Sequence, residues 1–126
     1  MSKNNFSVLF VENDLILKER YMRFLRLYFK NVYEASNGKD ALEKYYIYKP
    51  DVAIVAMDIP KIDGITVAKE IREVDEKIIL IMLTAYSNTS QLLDAMELKL
   101  FKYLIKPMKT FEFESLLEGV TLKLKK

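Results

Sequence analysis

The residues of this chain equipped for chemistry fall in four short clusters: Glu12-Asn13-Asp14, Asp58 two places after Ala56, Thr84, and Lys106-Pro107. Carboxylates, a hydroxyl and an ammonium are the groups that position and neutralise a phosphoryl group. One position breaks the set. Ala56 lies in Pro50-Asp51-Val52-Ala53-Ile54-Val55-Ala56-Met57-Asp58-Ile59-Pro60, near the end of a buried-strand pattern, where its surroundings call for a carboxylate. A methyl group has no oxygen with which to accept a phosphoryl group.

Elements must bring these clusters together. Phe6 to Val11 is a near-continuous apolar run, as in a strand covered on both faces. Asp14 suits a helix N-cap, and Leu17, Tyr21, Phe24, Leu25 and Tyr28 follow at helical spacing. Asn31 to Ala35 reads as a weaker strand, Ser36-Asn37-Gly38 as a turn, and Ala41, Leu42, Tyr45 and Tyr46 as a second helix. Lys49-Pro50 ends that helix, because the residue before proline is pushed out of the α region. Val52 to Met57 is the third strand, Ile65, Ala68 and Ile71 mark the third helix, and Ile78 to Leu83 is the fourth strand. Leu92, Leu93, Ala95, Met96 and Leu98 belong to a fourth helix, Phe101 to Ile105 to a fifth strand, and Phe113, Leu116, Leu117, Val120 and Leu124 to a closing helix. Lys123, Lys125 and Lys126 suit the negative end of that helix.

Five strand–helix units in series predict an α/β fold: a doubly wound, five-stranded parallel sheet with helices on both faces. In open sheets of this kind chemistry collects at the carboxyl ends of the strands. Glu12, Asn13, Asp14, Ala56, Asp58, Thr84 and Lys106 all fall there, so the scattered polar residues are expected to converge.

The bulk properties bound the rest. With 126 residues, the chain is read as one domain, 1–126, without an output domain. Apolar residues are 51% and charged residues 30%, a globular balance. The net charge of +2 is too small to argue for a nucleic-acid partner. Cysteine is absent, which excludes disulfides and thiolate metal sites. The polar start, Met1-Ser2-Lys3-Asn4-Asn5, does not resemble a signal peptide. The longest apolar run is far below the ~20 residues that span a bilayer. The expectation is a cytoplasmic protein with no membrane partner.

Together these residues resemble the receiver domains of two-component response regulators, the CheY-like family with a flavodoxin-like (βα)5 fold. Val8-Leu9-Phe10-Val11-Glu12-Asn13-Asp14 is similar to the first strand and its acidic end. Glu34-Ala35-Ser36-Asn37-Gly38-Lys39-Asp40-Ala41-Leu42 is similar to the second strand and helix start. Pro50-Asp51 through Pro60, with Asp63-Gly64, resembles the acceptor strand and loop. Leu83-Thr84-Ala85 and Tyr103-Leu104-Ile105-Lys106-Pro107 complete the resemblance. It implies that the accepting aspartate lies six residues after the proline of Pro-Asp, four before the loop proline and seven before the aspartate of Asp-Gly. Counted from Pro50, Pro60 and Asp63, each spacing arrives at Ala56.

By the same resemblance, Glu12 and Asn13 stand where receivers carry two acids, and Asp58 where a backbone carbonyl binds the metal. An amide at 13 and a methyl at 56 remove two carboxylates from a Mg²⁺ site, so no cofactor is expected and metal binding is expected to be weak or lost. Thr84 and Lys106 are the implied phosphoryl contacts, Tyr103 the implied aromatic switch, and Lys106-Pro107 a candidate cis peptide. Thr84 equally fits a turn residue, and Tyr103 a half-buried strand aromatic. Without an acceptor, Lys106 is expected to pair with Glu12 or Asp58.

Three functions follow. The first is a stand-alone, non-enzymatic receiver-like module of a phosphorelay pathway that signals by protein binding. The second is a phospho-accepting receiver whose aspartate has been replaced by Ala56. The third, weaker on account of the missing phosphate cradle after the first strand, is a flavin- or nucleotide-binding flavodoxin-like protein. The implied partners are a sensor histidine kinase and a phosphotransfer or output protein. They are expected on the face formed by the fourth helix, fifth strand and fifth helix, including Leu100, Phe101 and Tyr103, with a homodimer as a further option. Arg20, Arg23, Arg26 and Lys30, beside Met22, Leu27 and Phe29, are read first as a solvated face of the first helix.

Overall fold

A computed structural model describes residues 3–85 and 89–125, and of 89–92 the backbone only. Ten elements alternate: β1 (Asn4–Val11), α1 (Leu15–Tyr28), β2 (Phe29–Ala35), α2 (Gly38–Tyr48), β3 (Val52–Ala56), α3 (Gly64–Val74), β4 (Ile79–Thr84), α4 (Thr89–Met96), β5 (Lys102–Ile105) and α5 (Thr110–Leu124). The strands form one parallel sheet in the order β2-β1-β3-β4-β5. This is the doubly wound α/β architecture the strand–helix alternation predicts.

Strand side chains alternate between faces, and each face has its own core. Leu9, Val11, Ala53, Val55, Leu80 and Met82 meet residues of α2, α3 and α4, including Ala41, Tyr45, Ala68, Ile71 and Ala95. Val8, Phe10, Val52, Ile54, Ile81 and Leu83 meet α1 and α5 through Tyr21, Leu25, Phe113, Leu117 and Val120. Because both faces are covered, the three central strands read as unbroken apolar runs. Three helices begin on side-chain caps: Asp14 accepts from Ile16 and Leu17, Asn37 from Asp40, and Asp63 from Thr66.

Several boundaries differ from the sequence reading. β1 starts two residues early, at Asn4, whose amide donates to the Thr121 hydroxyl of α5 at 3.1 Å. β2 starts at Phe29, not Asn31, because that fully buried aromatic turns extended directly as the C-cap of α1. β3 stops at Ala56, and β4 runs one residue later than expected. Leu98 lies beyond α4 in a buried turn, and Phe101 precedes β5. Met22 of α1 and Phe29 of β2 are buried, leaving only Leu27 of that trio exposed, so no apolar partner surface is built from the three. The packing of Leu92 and the position of Lys126 lie outside the described residues.

Candidate functional site

Parallel strands deliver their carboxyl ends to one edge. β1 ends at Val11, and Glu12 follows with its amide bonded to the Ala35 carbonyl of β2 at 3.1 Å. Asn13 and Asp14 then turn outward into α1 and are exposed. β3 ends at Ala56, paired in register with Leu83, and the Met57 amide donates to the Leu83 carbonyl at 2.8 Å. Thr84 ends β4 and is buried. The Lys106 amide donates to the Thr84 carbonyl at 2.7 Å, which fixes the end of β5 beside it. The Lys106-Pro107 peptide is cis.

Lys106 joins these ends chemically. Its Nζ lies 2.7 Å from Glu12 Oε1 and 3.1 Å from Asp58 Oδ1. The Glu12 and Lys106 side chains are almost fully buried, whereas Asp58 is half exposed. Burial would lower the lysine's proton affinity, but the hydrogen bond and charge of Glu12, followed by those of Asp58, more than offset it and hold Lys106 above its ordinary value. A cavity of about 360 Å³ opens over this pair, walled by Glu12, Asn13, Asp14, Leu17, Asp58, Ala85 and Lys106. Ala56 is fully buried and lies off its wall.

Glycine sets the floor. The Gly64 amide donates to the Met57 carbonyl at 3.1 Å, and a Cβ on Gly64 would fall 2.2 Å from the Ala56 carbonyl oxygen. Only glycine lets the start of α3 approach the end of β3 so closely. Gly38 plays the same part against Ile62 and bonds Pro60, tying the second and third loops together.

Tyr103 is half-buried against the core cluster beneath α2, α3 and α4, and its hydroxyl is buried with no hydrogen-bond partner among the described residues. Leu100 and Phe101 are also half-buried, but against opposite cores: Leu100 on the face of α2, α3 and α4, Phe101 on that of α1 and α5. They are therefore partly internal packing residues, not a fully presented contact surface. The exposed large apolar side chains in this region are Leu93, Met96, Ile105 and Phe111.

Two supports went unnoticed in the sequence. Lys18 is buried, bonded to the Ser36 hydroxyl and 3.7 Å from Glu34, and pins α1 to the loop after β2. Its signal was available: Lys18 falls in phase with the buried stripe Tyr21, Met22, Leu25 and Tyr28. The Tyr21 hydroxyl accepts from the Met108 amide at 2.9 Å and anchors the loop after Pro107. Nothing local marks that contact, because it spans 87 residues of sequence.

A sequence model of the response regulator receiver domain matches residues 8–118, most of the chain. The chain belongs to the response regulator receiver family. The receiver is 35% identical over 92 residues to the chemotaxis protein CheY of Bacillus subtilis, covering 73% of this chain and 74% of that protein. It is 27% identical over 117 residues to sporulation initiation phosphotransferase F of the same organism, covering 93% of this chain and 85% of that one. Among solved structures, the REC domain of AraT, a response regulator from Geobacillus stearothermophilus, superposes with a TM-score of 0.83 at 26% identity over 97% of each chain. Among the described residues no helix is long and apolar enough to cross a membrane.

Receivers in general bind Mg²⁺, and the donor set here is altered at positions 13 and 56. Glu12 spends Oε1 on Lys106 and Oε2 on the Asp14 amide at 3.1 Å. Asp14 spends Oδ1 capping α1. Asn13 offers an uncharged amide, Ala56 offers nothing, and Asp58 faces Lys106. A hard cation of this size needs free oxygen ligands in octahedral array. Among the described residues, no group of three or more acids is arranged to hold a metal.

Proposed function

We propose that this receiver signals by binding protein partners, without accepting a phosphoryl group at position 56. The observation that carries this reading is the Lys106 ammonium held by Glu12 and Asp58 at 2.7 and 3.1 Å, with a fully buried methyl at Ala56, the end of β3. The Lys106 ammonium is answered within the protein by two carboxylates. No carboxylate stands at position 56 to attack phosphorus, and Glu12 and Asp58 face Lys106. Asn13 supports the same reading, because a second loss in the acidic set is what a receiver freed from the metal would show.

Activity then rests on a conformational equilibrium that partners bias by binding one state more tightly. Thr84, Tyr103 and Lys106 remain the candidate switch residues. The inward Tyr103, with its buried hydroxyl, fits a chain resting in the state that phosphorylation would otherwise favour. The partner face is the one formed by α4, β5 and α5, where Leu93, Met96, Ile105 and Phe111 are exposed. A sensor kinase, a phosphotransfer protein or an output protein is the class of partner, as is a second copy of the chain.

The test is incubation with acetyl phosphate and magnesium, followed by assay for acid-labile phosphate. The chain should take up none. Stable labelling of Asp58 or Glu12 would overturn the proposal. A partner pull-down with the Ala56→Asp variant completes the experiment. Equal partner sets with and without the phosphodonor support constitutive binding. A set that changes only with the restored carboxylate and donor supports the second reading, a phospho-relay receiver whose aspartate has been replaced. The retention of Thr84, Tyr103 and Lys106 favours that second reading.

A further inference from the structure

A further cavity lies at the opposite pole, where the strands begin. It has a volume of about 500 Å³, within the range of small-molecule sites. Its wall carries four cations, Arg72, Lys77, Lys99 and Lys123, against one carboxylate, Glu76. The imbalance around this one cavity exceeds the net charge of the entire chain, +2. Among the described residues none of the four forms an ion pair.

Arg72 is built into the structure, not merely displayed. Nε donates to the Leu98 carbonyl at 2.7 Å, Nη1 to those of Asp75, Glu76 and Ile78 at 3.1, 3.1 and 2.9 Å, and Nη2 to that of Lys99 at 3.1 Å. Guanidinium has five N–H donors, so one hydrogen on Nη2 is left over. The charge is thus fixed in place by carbonyl dipoles, with the Asp75 carboxylate near enough to interact with it. Helix ends do not explain all of the lysines. Lys123 closes α5, but Lys77 and Lys99 sit in loops. Lys99 even holds a left-handed backbone, φ 55°, at the cavity's edge. The apolar wall is supplied by Ile78 and the half-buried Phe101 ring, over which Lys123 Nζ stands 6.0 Å from the centroid.

We propose that this cavity binds a small organic anion of nucleoside diphosphate type, its phosphates on Lys77, Lys99 and the Arg72 edge and its flat apolar part against Phe101. One fixed guanidinium and three flanking exposed lysines beside a ring complement an anion that carries an aromatic group. A bare phosphate would use only half of the wall. The site is remote from Ala56 and independent of any phosphorylation there.

The experiment is titration of the intact chain with ADP, read by calorimetry and by backbone amide shifts, at physiological salt. Shifts centred on Ile78, Lys99 and Phe101 are expected. Lys99→Asn tolerates the left-handed backbone. Together with Lys77→Gln it should weaken binding by about tenfold or more, the equivalent of one charge-assisted hydrogen bond. Phe101→Leu should weaken ADP while leaving inorganic phosphate unchanged. Thermal unfolding of each variant establishes that it folds. The proposal is overturned by absence of shifts at millimolar ADP, by shifts that the double variant retains, or by equal affinity for ADP and inorganic phosphate. Tighter binding of an acidic peptide than of ADP would also overturn it, by making the pole a protein contact.

Discussion

Lys106 Nζ and Glu12 Oε1 stand 2.7 Å apart with both side chains almost fully withdrawn from solvent. They join the end of β5 to the end of β1 across 94 residues of sequence. Burying a lone charge is costly, and burying a matched pair is tolerable only when geometry and further hydrogen bonds are good. Asp58 and the Asp14 amide supply those further bonds.

Removing one partner should therefore cost more than removing both. Glu12→Gln leaves the ammonium with only the half-exposed Asp58 and should destabilise the fold by about 3 kcal/mol. The double variant Glu12→Gln, Lys106→Met should recover much of that loss. Urea unfolding of the two single variants and the double variant measures the coupling directly. Strict additivity would show that the pair does not act as a unit.

The same pair sets an alkaline limit. Folded Lys106 holds its proton more tightly than the unfolded chain does, so its contribution is complete below the unfolded value of 10.5. The contribution is lost as pH rises through the higher folded value. The stability advantage over the Glu12→Gln, Lys106→Met double variant should stay level from neutral pH to about 10.5 and fall only beyond it. Chemical denaturation across alkaline pH reads this. A fall that begins near neutrality would contradict it.

At the other pole, Tyr45 of α2 donates to Asp75 Oδ2 at 3.0 Å, while Asp75 Oδ1 accepts from the Lys77 and Ile78 amides. Burial, followed by that hydrogen bond and the Asp75 charge, pushes the Tyr45 phenol up to about 12. Tyr45→Phe should delete a late component from the phenolate absorbance titration. It should also lower stability by about 1 kcal/mol, the usual net worth of one such bond.

Gly64 carries a steric prediction. Gly64→Ala drives a methyl to 2.2 Å from the Ala56 carbonyl oxygen, where only backbone can yield. The expected cost is about 1–3 kcal/mol or more, as for other overpacked sites. An unchanged denaturant midpoint would mean that the loop after β3 relaxes freely.

Much of the architecture was legible because the three central strands are covered on both faces and the helices on one. The run Val52 to Val55 and the stripe Phe113, Leu116, Leu117, Val120 follow directly from those two kinds of burial. The boundaries were less legible. Phe29 reads as the end of a helix and is the first residue of β2, since its burial against the sheet outweighs local preference. Leu98 reads as helical and lies in a turn, because Arg72 takes its carbonyl from 26 residues away.

The sequence alone determined the fold class, the order of the elements and the chemistry missing at positions 13 and 56, since residue type and spacing carry all three. Only the tertiary structure decided where the remaining charges go. Lys106 has two carboxylates within reach and takes both, Lys18 is drawn under α1, and Arg72 closes on five backbone carbonyls. The reason is physical. A long cationic side chain has no preferred partner within its own segment, and its choice follows from which acceptors the packed sheet and helices leave buried and unsatisfied.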